Sequence, residues 1–276
     1  IPPNPVRQLA AGGAHSLALT TAGDVLAWGD NADGQLGNGS NDDSNVPVEV
    51  DIPPNPVRQL AAGGAHSLAL TTAGDVLAWG DNADGQLGNG SNEDSNVPVE
   101  VDIPPNPVRQ LAAGGAHSLA LTTAGDVLAW GDNEVGQLGN GSNDDSNIPV
   151  EVDIPGDPVR QIAAGDAFSL ALSTIHAWGA GAQGQLGNGH RKNKNTPVRV
   201  DLPSNTTITA IAAGGAHALA ITGPPGPHTG DGATVTSASG SGRSAALLGV
   251  VALGLAVTVG VVVLRRWKHD FRSFGA

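Results

Sequence analysis

Residues 10–39 read "AAGGAHSLALTTAGDVLAWGDNADGQLGNG", and residues 61–90 repeat them without a change. A third copy at 112–141 differs only at Glu134 and Val135. Extending the match outward gives a 51-residue unit, with copies at 1–51, 52–102 and 103–153. A looser copy at 154–201 has lost three residues between Ser173 and Ala177, and a half copy occupies 202–222. A period of this size is the signature of a propeller or solenoid. Within one unit four short segments, "VRQLA", "HSLALT", "VLAWG" and "VPVEV", are rich in β-formers or alternate in polarity. "TTAGD" supplies a hairpin turn between the middle two, and Gly, Asn, Asp and Pro clusters separate the others. Four strands in about 50 residues make one propeller blade, whose apolar faces only neighbouring blades can cover. The fold class is therefore all-β, a β-propeller of four-stranded blades.

The Gly-Gly-x-His, Trp-Gly and Gly-Gln-Leu-Gly elements of this unit resemble the repeat of the regulator of chromosome condensation family. The resemblance covers four and a half copies along residues 1–222. It implies a propeller that typically has seven blades, so that the present repeats are part of a larger ring. Family roles span guanine-nucleotide exchange, chromatin binding, bacterial surface binding and β-lactamase inhibition. The chain opens on Ile1 and contains no methionine. The expectation is a fragment, with the strands that complete the half blade preceding Ile1; an open arc or a dimerising one is the alternative.

The formal net charge of -13 is unevenly spread. Residues 1–153 hold 21 acids against 3 bases, while 154–222 hold 3 against 5. Such an acidic surface repels phosphate backbones, which argues against nucleic acid as a partner and leaves proteins, cations or solubility. With no cysteine there is neither a disulfide nor thiolate chemistry, and stability must come from packing.

Residues 244–264, "SAALLGVVALGLAVTVGVVVL", are 21 residues without a charge. As a helix they reach about 31 Å, the thickness of a bilayer's hydrocarbon core. Arg265, Arg266 and Lys268 follow at once, against Arg243 alone on the other flank, so the tail 265–276 is expected in the cytoplasm and the repeats outside. The Pro/Gly/Ser-rich stretch 223–243 reads as a flexible stalk without a core. Within it Pro227, Thr229 and Gly230 echo the Leu-Pro-x-Thr-Gly wall-sorting motif, but Gly226 stands where leucine is required, which favours a retained membrane anchor over cell-wall sorting. Ala252, Ala256 and Gly260 share one helix face, a small-residue pattern for pairing of spans.

His15, His66, His117 and His217 hold the same place in each unit, with Phe168 in the fourth. One residue per blade at a strand start does not converge on a metal, so these are read as structural. Trp28, Trp79, Trp130 and Trp178 read as blade packing in preference to carbohydrate stacking. "GDNADGQLGNG" lacks the Asp-x-Asn-x-Asp-Gly order of a calcium loop and reads as turn chemistry, with Gly34, Gly37 and Gly39 taking backbone angles that other residues resist. No metal or other cofactor is expected.

The loop before the fourth strand discriminates most. It carries Asp42 and Asp43, Glu93 and Asp94, then Asp144 and Asp145, whereas the aligned residues of the fourth unit include His190, Arg191, Lys192 and Lys194. Glu49, Glu100 and Glu151 likewise become Arg199. Equivalent loops share one face of a propeller, which is expected to carry an acidic arc ending in a basic sector. A catalytic site would break symmetry to gather nucleophile, base and oxyanion donors; nearly every polar residue here is copied in each blade, so no enzyme is expected. The function expected is a surface-displayed protein-binding or adhesion propeller, with self-association as a further outcome. An enzyme-inhibitor-like propeller is the main rival, and a nucleotide-exchange regulator the lesser one.

Overall fold

The computed structural model describes residues 5–53, 55–104, 106–204 and 206–223, together with the backbone of 235–238. The first blade is an antiparallel meander of β1 (Val6–Ala11), β2 (His15–Thr20), β3 (Val25–Gly29) and β4 (Ser44–Glu49). The second repeats it as β5 (Val57–Ala62), β6 (His66–Thr71), β7 (Val76–Gly80) and β8 (Ser95–Glu100). The third consists of β9 (Val108–Ala113), β10 (His117–Thr122), β11 (Val127–Gly131) and β12 (Ser146–Val152). The fourth has β13 (Gln161–Ala164), β14 (Phe168–Leu172), β15 (His176–Gly179) and β16 (Lys194–Arg199). A fifth sheet contains β17 (Ile208–Ala213), β18 (Ala218–Thr222) and β19 (Val235–Ala238).

Two strand expectations are corrected. The outer strand starts at Ser44, two residues earlier than the apolar run suggests, because Gly29 pairs with Ser44 across a bulge. Pro47 is tolerated there because an outermost strand needs no ladder donor on its open side. The stretch 223–243, read as a flexible stalk without a core, supplies β19, which pairs Ala218 with Ala238 and Ile221 with Val235. The open edge of β18 has backbone groups to satisfy, and "VTSA" is an island of β-formers that can meet them. The expected span 244–264, the tail 265–276 and the sorting-like residues Pro227, Thr229 and Gly230 lie outside the described residues. Among the described residues no helix is long and apolar enough to cross a membrane.

The middle strand reads "HSLALT" with no clean alternation because both its faces are covered, so β6 and β10 are buried throughout. The core lies between blades. Leu17, Leu19, Val25, Leu36 and Val50 of the first blade meet Val57, Leu60, Ala69, Leu77 and Trp79 of the second, and the next two interfaces are built alike. The second face of the first blade shows what this packing supplies. Leu60 is 2 % exposed, whereas its counterpart Leu9 is 64 % exposed. Covering one such leucine is worth about 1.5–3 kcal/mol, so a blade is stable only when it has a neighbour.

Candidate functional site

Two ends of each blade carry different chemistry, and the pairing register assigns them. At one end lie the β1–β2 turn and the long loop between β3 and β4; at the other lie the β2–β3 hairpin and the connection to the next blade. The loop end is built around Asn31, which is fully buried. Its Oδ1 accepts from Leu36 N at 2.9 Å, and its Nδ2 donates to the carbonyls of Ser40 and Asp42 at 2.8 and 3.0 Å. Gln35 Nε2 donates to Asp30 at 2.7 Å, and the Gln35 carbonyl accepts from Trp79 Nε1 at 2.9 Å and Ser67 Oγ at 3.0 Å in the next blade. The Gly-Gln-Leu-Gly element is therefore a joint between blades. Gly37 shows why glycine is needed there: at φ 65 a Cβ would lie 2.7 Å from the Trp79 ring.

The histidines form the second joint. His15 Nε2 meets Ser67 Oγ at 2.9 Å, His66 meets Ser118 at 3.0 Å, and His117 meets Ser169 at 2.9 Å. Ser67 and Ser118 donate their own protons to the Gln35 and Gln86 carbonyls, so the histidine must be the donor and carries its proton on Nε2. Each Nδ1 is buried without a partner. A second proton there would place a charge in apolar surroundings, and burial lowers the pKa of His15 to about 4, His66 to about 3 and His117 to about 4. In the fourth blade Phe168 replaces the histidine, and the residue it faces in the fifth sheet, at the serine's position, is Ala218. The two partners change together. Trp79, Trp130 and Trp178 are fully buried, which closes their faces to a sugar, while Trp28 is half-buried on the uncovered side of the first blade. Among the described residues no group of three or more His, Asp or Glu side chains is placed to hold a metal.

The acidic loop residues divide into two sets. Asp43, Asp94 and Asp145 accept from the backbone N–H of Asn31, Asn82 and Asn133 at 2.9, 2.8 and 2.7 Å, so they brace the loop. Asp42, Glu93 and Asp144 stand exposed beside them. Asp33 and Asp84 show that neighbouring blades share a field: partial burial first, then Asp81 and Asp94 for Asp33 and Asp132 and Asp145 for Asp84, raise their pKa values above the usual carboxylate range. An acidic arc thus crosses the first three blades. In the fourth, Ala180 and Gly181 replace the Asp-Asn pair, and the loop backbone at Lys192 closes on Gly181 where the asparagine side chain would sit. His190, Arg191 and Lys192 are exposed there and Lys194 half-buried. Asn41, Asn92 and Asn143 each accept from an asparagine of the next blade's outer strand at 2.7–2.9 Å. Arg191 holds that place in the fourth blade. Arg199 does not join this basic group. Gly179 pairs with Lys194 and His176 with Arg199, so the two cations mark opposite ends of β16. Five residues of extended strand span about 16 Å, which separates Arg199 from the loop it was expected to join.

A family model described as RCC1-like domain matches residues 2–242. The chain belongs to the RCC1-like domain family. Its RCC1-like repeats are 39% identical over 168 residues to the human E3 ubiquitin-protein ligase HERC2, covering 59% of this chain and 4% of HERC2. They are 32% identical over 223 residues to the Ultraviolet-B receptor UVR8 of Arabidopsis thaliana, covering 61% of this chain and 51% of the receptor. Among solved structures, human WBSCR16 superposes with a TM-score of 0.73 at 30% identity, covering 80% of this chain and 58% of that one. Prp20p of Saccharomyces cerevisiae, whose study describes binding to Gsp1p and histones, gives 0.72 at 25% identity, covering 80% and 56%. The RCC1-like chain spans about half or less of the length of these curated relatives.

Proposed function

We propose that these RCC1-like repeats are a non-catalytic protein-binding platform, displayed outside the cell and held to the membrane by residues 244–264. One observation carries the binding role: the loop face bears exposed acids on three successive blades, Asp42, Glu93 and Asp144, next to a blade whose loop exposes His190, Arg191 and Lys192. A field of that kind selects partners by charge and speeds their encounter. The relation to Prp20p, a protein studied for its binding to Gsp1p and histones, supports a protein as the ligand. The acidity argues against a nucleic acid. The membrane placement rests on the uncharged run 244–264 and the cationic residues after it.

The test uses the full chain on intact cells. Protease added outside should degrade the repeats; repeats left whole would end the display reading. Replacing Arg191, Lys192 and Lys194 by Ser should weaken capture of an extracellular protein several-fold at low salt, with the difference vanishing at about 0.5 M salt. Equal capture by both proteins at low salt would end the charge-selection reading.

A further inference from the structure

Four clefts of common design lie between successive blades at the hairpin end. Their volumes are 420, 570, 490 and 740 Å³ in chain order, and the fourth is the largest of them. The first is lined by Asp24, Glu49 and Asp51, the second by Asp75, Glu100 and Asp102, and the third by the equivalent Asp126, Glu151 and Asp153 together with Asp157. The fourth is inverted. Arg199 replaces the glutamate, the shortened turn has no aspartate, and Arg160 joins the lining, leaving Asp201 as its acid.

Arg160 is available because it has left a structural post. Arg7, Arg58 and Arg109 each donate to a carbonyl of the next blade, Val57, Val108 and Val159, at 2.6, 2.6 and 2.7 Å. Arg160 instead makes a 3.4 Å bond to Ser173 O in its own blade and is exposed. Ser173, Thr174, Ser204 and Thr207 also line the wall, as does Thr206, whose hydroxyl is committed to the Pro203 carbonyl at 2.7 Å. The lost residues also force Ile175 to φ 48, the one non-glycine residue with positive φ among the described residues. A β-branched side chain resists that angle, and such strain persists where surroundings hold it. Charge, turn length and backbone therefore depart from the repeat together in this cleft.

We propose that the cleft between the fourth blade and the fifth sheet binds an oxyanion, a phosphate or a carboxylate group, through Arg160 and Arg199. Guanidinium groups present planar donors that match the paired oxygens of either anion, and the remaining hydroxyls add neutral donors. The two arginines are distinct from the cationic loop residues, since Arg199 lies at the end of β16 opposite Lys194, although Asn188 of the β15–β16 loop also reaches the cleft.

The experiment titrates the full chain by calorimetry with inorganic phosphate and, separately, with succinate at matched ionic strength. Three variants are compared: R160S, R199E and the loop variant R191S/K192S/K194S. Arg199→Glu restores the residue that the other three blades carry, so its fold is safe. The wild-type protein and the loop variant should bind equally, while R160S and R199E should each bind at least tenfold more weakly. Saturation by phosphate alone assigns the site to phosphate, by succinate alone to carboxylate, and by both to oxyanions in general. No saturable binding of either anion, unchanged affinity in R160S or R199E, or loss of binding in the loop variant would overturn the proposal.

Discussion

Replacing His66 by Phe together with Ser118 by Ala copies into the second interface the pair that Phe168 and Ala218 form in the fourth. This double variant should lose less stability in acid than the wild-type protein. The sign follows from the lowered values of about 4, 3 and 4 for His15, His66 and His117 against about 6.5 unfolded. Below pH 6.5 the unfolded chain binds protons that the folded chain refuses. The stabilisation is whole above about pH 6.5 and is lost as pH falls towards the folded values. At about pH 5 the loss is about 2 kcal/mol per histidine, hence about 6 kcal/mol for three and about 4 kcal/mol for the variant. Asp33 and Asp84, raised in the folded protein, act in the opposite sense at lower pH, but they are common to both proteins and cancel in the difference. Urea unfolding at about pH 7 and pH 5, followed by tryptophan fluorescence, measures the difference. Equal losses in the two proteins would refute the assignment of Nε2–H histidines with unpartnered Nδ1 atoms.

Leu60→Ala should destabilise by about 2–5 kcal/mol and Leu9→Ala by less than about 0.5 kcal/mol, because the first empties an inter-blade core and the second shortens an exposed side chain; urea midpoints decide. Gly37→Ala drives a Cβ into the Trp79 ring and should cost more than about 3 kcal/mol, whereas Gly39→Ala, which meets only Val97 at 3.9 Å, should cost about 1 kcal/mol from its positive φ alone. Similar thermal shifts for the two glycine variants would refute the joint at Gly37.

The strand order, the blade and the turn role of Gly34, Gly37 and Gly39 were legible in the repeat, because period and glycine placement are local signals. The histidines read as structural from symmetry alone. Their partner is a serine 52 residues away, which no local pattern reveals, although the joint change to Phe168 and Ala218 was visible. The role of Gln35 was hidden because its backbone carbonyl, not its side chain, makes the joint. Asp43, Asp94 and Asp145 looked like free surface charge, yet their oxygens hold the loop backbone. Arg199 looked like a member of the basic loop because nearness in sequence was taken for nearness in space, and an extended strand separates the two. The third strand of the fifth sheet was concealed by the Gly and Pro around it.

Arg7 to Val57 and Arg58 to Val108 each span 50 residues, while His15 to Ser67 and His66 to Ser118 each span 52, so successive joints are interchangeable. Removing or adding one of the first three units in the gene would leave every remaining seam with an equivalent partner. Blade number can thus drift by unequal recombination without any surface having to be reinvented. The same sameness lets a unit of one chain seat itself on a neighbouring chain during folding, so dilute refolding should give more monomer than concentrated refolding.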